Sequence, residues 1–148
     1  MTVPLTRTLY TTTAHASGGR TGSVVTDDGR LDVRLAPPRK KVPGTTNPEQ
    51  LFAAGFAACF TSALAEVAGE FGADASAARV QCEVRLGTTD TPAGYGLAVG
   101  LTVSVPGWAA ADLLPLLHRA DAVCPYSQAV RGNIDLSLQA LDGGPADA

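Results

Sequence analysis

The chain has 148 residues, the length of one ordinary domain that can bury a core without disulfide staples, and a single domain over residues 1–148 is expected. Hydrophobic residues make up 45% and charged residues 17%, a globular composition poor in charge for a fully solvated surface, which leaves room for a second subunit over part of it. A net charge of −3 gives no electrostatic footprint for nucleic acid or anionic lipid, and the first ten residues lack a secretory signal, so a cytoplasmic protein without nucleic-acid or membrane partners is expected.

Leu5 to Thr13, Gly22 to Thr26 and Leu31 to Leu35 read as strands. Asp27-Asp28-Gly29 joins the last two as a hairpin, with glycine supplying the positive φ of the turn. Pro37 to Thr46 carries Arg39, Lys40 and Lys41 among prolines and reads as a solvated loop. Asn47-Pro48-Glu49-Gln50 then opens a helix: Asn47 suits the cap, Pro48 the first helical position, and Gln50 can close a capping box. The stop is Gly72. Leu51 to Ala65 has no charge and points small and apolar side chains all round the axis, which predicts a central helix buried on both sides. That uncharged stretch falls short of the roughly 20 residues needed to cross a bilayer.

Arg79 to Leu86 and Tyr95 to Val105 alternate like strands and are joined by a hairpin through Asp90 to Gly94. A second helix is predicted from Ala109 or Asp112 to Val123, with Pro115 tolerable only in its first turn and Pro125 breaking it. A helical turn from Tyr126 to Val130, a strand from Ile134 to Leu141 and a frayed Gly-Gly-Pro tail complete the order. The fold class is α+β, with mostly antiparallel sheets around a long buried helix.

Three cysteines are too few and too odd for a disulfide framework, and in a reducing compartment they read as free thiols, reactive or merely buried. Cys82 falls mid-strand and reads as a small hydrophobe. Cys59 shares a helix face with Phe52, Gly55, Phe56, Ser62, Ala63 and Glu66. Helical side chains lean toward the N-terminus, so its thiol should lie over Gly55, where no side chain blocks an incoming group. Gly55 is equally suited to close packing of another element. Cys124 precedes Pro125 at a helix end, a junction that can move to bring in a second thiol or can simply close the helix with a buried sulfur.

Asn47 to Phe60, read as NPEQLFAAGFAACF, resembles the nucleophile segment of the organic hydroperoxide resistance (Ohr) proteins within the wider OsmC-like family. Cys124-Pro125-Tyr126-Ser127 with Arg131-Gly132-Asn133-Ile134 resembles their second-cysteine segment, and Gly18-Gly19-Arg20-Thr21-Gly22 their arginine segment. The resemblance implies an intertwined homodimer and a thiol peroxidase without metal, haem or bound cofactor. Cys59 would attack an organic hydroperoxide and become a sulfenic acid, Cys124 would condense with it to a disulfide, and the dithiol of a lipoylated protein would reopen that bond. It also implies that Arg20 holds the sulfur as thiolate and that Glu49 orients Arg20, with Phe52, Gly55 and Phe56 lining the substrate pocket. Arginine suits the task because it stays protonated and offers several donors in a planar fork.

The sequence departs from the family pattern in three places. Asp121 stands where many members have a histidine, with His118 one turn earlier; Arg39-Lys40-Lys41-Val42-Pro43 replaces a glycine-rich loop; and Phe56 replaces a common tyrosine. Glu49 and Cys59 are about ten residues apart, which separates them by about 15 Å along a straight helix. Either a partner subunit supplies Glu49, alone or together with Arg20, or the helix kinks or starts later near Gly55. Two other functions fit the cysteines. One is a redox sensor that oxidises without turnover. The other is a cysteine hydrolase, whose base would have to be His15 or His118.

Overall fold

The computed structural model describes residues 2–145, organised as two compact units, Met1–Pro48 and Glu49–Ala148. The first unit is a four-stranded sheet in the order β1 (Ala14–Ser17), β2 (Ser23–Thr26), β3 (Asp32–Leu35) and β4 (Thr45–Thr46). β1 pairs β2 and β2 pairs β3 antiparallel, whereas β4 joins β3 in parallel. Between β2 and β3, Gly29 takes φ 72°, and the Asp28 carboxylate accepts hydrogen bonds from the Arg30 amide and the Thr26 hydroxyl. The hairpin is therefore built as its turn residues predict.

The strand expected over Leu5 to Thr13 does not form. Leu5, Leu9 and Tyr10 are 82%, 81% and 76% exposed, and pairing with β2 begins only at Ala14. The segment alternates well enough for a strand, but a strand exists only where a neighbour supplies a ladder. Arg39, Lys40 and Lys41 are exposed, as a solvated loop requires, although a short 3-10 turn, Pro38–Lys40, crosses it.

In the second unit, α1 (Pro48–Glu70) buries Phe56, Phe60, Ala63, Leu64, Val67 and Ala68 at helical spacing, and Gly72 at φ 69° follows its end. The expectation of burial on both sides is not met within the chain: Ala54, Ala58, Ser62, Ala65 and Gly69 lie exposed along one face. These residues are so small that an uncharged sequence here does not by itself signal burial. At 23 residues, α1 is also long and apolar enough to cross a membrane by length and composition alone, so the uncharged stretch was too short a measure. Its Phe and Leu face packs instead into a protein core.

A three-stranded sheet carries that core, in the order β5 (Arg79–Thr88), β6 (Tyr95–Ser104) and β7 (Asp135–Ala140). β5 and β6 form the predicted hairpin, while β7 returns parallel to β6, which demands a crossover. α2 (Ala110–Val123) and α3 (Pro125–Val130) make it. Val99, Leu101 and Val103 of β6 meet Leu113, Leu117 and Ala120 of α2 and the buried face of α1 in one cluster.

Two further expectations are corrected in this unit. Pro115 lies in the second turn of α2, not the first. It leaves the Ala111 carbonyl without its helical donor, and both residues are exposed, so water can satisfy that oxygen. The Gly-Gly-Pro tail is not frayed within the described residues. Gly143 donates to the Trp108 carbonyl at 2.9 Å, Gly144 accepts from Gly107 at 2.8 Å, and the Asp142 carboxylate takes the Ala110 amide at 2.7 Å, capping α2 from a distance.

Candidate active site

Cys59 lies in the fourth turn of α1, half-buried, with the fully buried Cys124 sulfur 3.6 Å from its own. Both are free thiols, and the pair is brought together across 65 positions of sequence. Cys124 is held by the backbone on either side. Its N–H donates to the Ala120 carbonyl at 2.8 Å, closing α2, and its carbonyl accepts from the Gln128 N–H at 3.0 Å, opening α3. Its own φ, ψ of −66°, 121° are extended, as the residue before a proline requires. The chain therefore turns a corner at Cys124, whose sulfur is buried where α2 closes, as one of its two expected readings has it, and stands in contact with Cys59.

Burial pushes the Cys59 thiol up from its ordinary pKa because the thiolate would lose solvation. The Tyr126 backbone N–H, hydrogen-bonded to the sulfur, acts the other way, and the Cys124 thiol adds to the rise. Only thiolate is a strong nucleophile, so the site calls for a cation in addition. Cys82 is raised by burial alone and packs on the core from β5.

Of the two expectations for Gly55, open access and close packing, the structure meets the second. A methyl group there would stand 2.9 Å from the Tyr126 hydroxyl and 3.2 Å from its ring edge, so Gly55 exists to seat that ring. Tyr126 meets Phe56 edge-to-face at 5.7 Å and Phe52 at 6.4 Å, and the two phenylalanines meet at 6.0 Å. Of the expected lining, Phe52 is half-buried and Phe56 is fully buried, so Phe56 backs the aromatic group from the core. Tyr126 was not singled out as a lining residue from the sequence. A glycine among alanines in α1 and a tyrosine two positions after Cys124 were the available signals.

Arg20 is borne by a 3-10 turn, Gly19–Thr21, in the first unit. Gly18 and Gly19 take φ 77° and 56°, and Gly22 has no room for a Cβ beside the Ser17 carbonyl. The turn is thus a glycine-built mount for one arginine. Glu49 stands in the first turn of α1. Since α1 runs unbroken from Pro48, a later start that folds Glu49 back toward Cys59 is excluded.

Asp121, the departure from the family pattern, accepts a 2.9 Å hydrogen bond from Arg131, which also reaches the Asp121 carbonyl at 2.8 Å. A cavity of about 370 Å³ borders this pair, along with His118 and Ile134, Leu136 and Leu138, and neither Cys59 nor Cys124 lines it. His15 pairs with Asp27 at 2.6 Å in the first unit. Neither histidine is among the groups that act on the Cys59 thiol. Among the described residues, no cluster of three or more His, Cys, Asp or Glu side chains is placed to hold a metal ion.

The site thus holds a half-buried thiol with a second, buried thiol in contact, set between a long helix and a helix corner of an α+β fold. The profile of the family described as OsmC-like protein matches residues 41–139. The organic hydroperoxide resistance protein of Xanthomonas axonopodis pv. citri is 44% identical over 136 residues, covering 89% of this chain and 94% of that one. The organic hydroperoxide resistance protein OhrA of Bacillus subtilis is 42% identical over 142 residues, covering 93% and 100%. The crystal structure of an organic hydroperoxide resistance protein from Legionella pneumophila superposes with a TM-score of 0.84 at 43% identity, covering 91% of this chain and 99% of that chain. The chain belongs to the OsmC/Ohr family.

Proposed function

We propose that this chain is a peroxidase that reduces organic hydroperoxides to alcohols with Cys59 as nucleophile and Cys124 as resolving thiol. The contact between the two sulfurs at 3.6 Å carries the reading, and relatives named for organic hydroperoxide resistance support it. The Cys59 thiolate attacks a peroxide oxygen, the O–O bond breaks, the departing alkoxide takes a proton to leave as alcohol, and the sulfur becomes a sulfenic acid. Cys124 then attacks that sulfur, the S–O bond breaks, and the oxygen leaves as water with the proton lost from Cys124. A dithiol such as a dihydrolipoyl group restores both thiols by two exchanges and is itself oxidised to a disulfide.

Arg20 supplies the cation that a buried thiolate needs, and Glu49 orients it. A second copy of the chain brings Glu49 to the thiol, consistent with the 15 Å, or about that, between Glu49 and Cys59 along one helix and with the uncovered small-residue face of α1. Phe52 and Tyr126, backed by Phe56, give an apolar approach that favours alkyl over hydrogen peroxide.

The test is turnover of cumene hydroperoxide with dihydrolipoamide. Cys59→Ser is expected to fall to the uncatalysed rate, and Cys124→Ser to consume one equivalent of hydroperoxide and stop. Undiminished turnover in Cys59→Ser would refute the reading, oxidation without turnover in the native chain would turn it into a sensor, and equal rates with hydrogen peroxide would remove the substrate preference.

A further inference from the structure

α2 ends at Val123 and its last carbonyls need partners. The Ala120 carbonyl takes the Cys124 amide, but the next two are satisfied by side chains from α3 and its end. Arg131 donates to the Asp121 carbonyl at 2.8 Å, and Gln128 donates to the Ala122 carbonyl at 2.6 Å. Arg131 also grips the Asp121 carboxylate at 2.9 Å. The two residues therefore tie the far end of α3 back to the last turn of α2, with Cys124 at the apex of the corner they close.

This is more than an exposed ion pair of little worth. The Asp121 side chain is only 14% exposed, and its second oxygen is buried without a hydrogen-bond partner, so the carboxylate depends on Arg131. The positive charge also meets the carbonyl end of a 14-residue helix, where the backbone dipole favours it. Disulfide formation has narrow geometric tolerance. The sulfurs must close from 3.6 Å to about 2.05 Å with a near-perpendicular dihedral, which a side-chain rotation manages only if the backbone of Cys124 stays where it is.

We infer that Asp121 and Arg131 are positioning residues for the second chemical step, holding the α2–α3 corner so that Cys124 meets the Cys59 sulfenic acid, and that they have no part in the attack on peroxide. The inference rests on the peroxidase reading above. In the step concerned, the Cys124–Cys59 S–S bond forms, the Cys59 S–O bond breaks, and water leaves with the Cys124 proton. If the corner loosens, the sulfenic acid outlives its partner's arrival and a second hydroperoxide oxidises it to sulfinic acid.

Rapid mixing of reduced protein with cumene hydroperoxide, quenched and read by mass spectrometry, separates sulfenic acid formation from disulfide formation. Arg131→Met should leave the first phase within about twofold of native and slow the second about tenfold or more, the loss expected for hydrogen bonds to charged groups. Sulfinic acid at Cys59 should rise with excess hydroperoxide, and Arg131→Lys should recover part of the second phase. Asp121→Asn, which keeps an acceptor and the side-chain size, serves if Arg131→Met fails to fold. Equal slowing of both phases, or a second phase at the native rate in folded variants, overturns the inference. The first phase of the unsubstituted protein tests the peroxidase reading separately, and if that phase is missing the clamp loses its reaction.

Discussion

At Cys59 burial disfavours the thiolate, because the charged sulfur would lose solvation. The sign of the pH effect follows. Burial raises the Cys59 thiol above the ordinary thiol range, so without a compensating cation thiolate forms later as the pH rises. In Arg20→Ala, alkylation of Cys59 by iodoacetamide, followed at that residue by mass spectrometry, is expected to keep rising with pH through and beyond that range. The native chain should reach its plateau at lower pH, and coincident curves would take Arg20 out of the site. The two cysteines were legible as candidates because each had a neighbour with a consequence, Gly55 for one and Pro125 for the other. What those neighbours do was not legible. The space over Gly55 is taken by Tyr126, and the N–H and carbonyl of Cys124 serve two helices at once.

At the scale of elements, α1 and α3 meet through one glycine and one ring. Gly55→Ala would push the Tyr126 hydroxyl and ring edge aside, and since Tyr126 is 40% exposed it can yield. The stability cost should stay near about 1 kcal/mol, at the low end for overpacking. The rate with cumene hydroperoxide should drop more than the rate with hydrogen peroxide, since the displaced ring is part of the apolar approach and its amide serves the sulfur. An unchanged ratio of the two rates would show that the ring has no part in selecting substrate. The sequence reading placed the end of α2 from Pro125, and β5 and β6 from their alternating side chains. It misjudged Pro115, the tail and the segment before Ala14 for a shared reason. Each depends on what lies across space: the exposure of Ala111 and Pro115, Trp108 against Gly143, and the lack of a ladder beside Leu5 to Thr12.

For the whole molecule, the second copy makes the sharpest prediction. Glu49→Ala and Cys59→Ser proteins are each expected to be weak or inactive. Unfolded together and refolded as a mixture, they should recover roughly a quarter of native turnover, since half of the dimers would hold one complete site. No recovery, with mixed dimers verified by native mass spectrometry, would place Glu49 in its own subunit's chemistry. The charge-poor composition leaves room for such a partner, and Ala54, Ala58, Ser62, Ala65 and Gly69 lie exposed along one face of α1.

The parallel return of β7 has a consequence in time as well as in space. β5 and β6 can zip as a local hairpin early, but β7 cannot join β6 until α2 and α3 have crossed over, and that crossover is the segment that carries Cys124. The segment that must cross over before the sheet can close is therefore the one that sets Cys124 against Cys59.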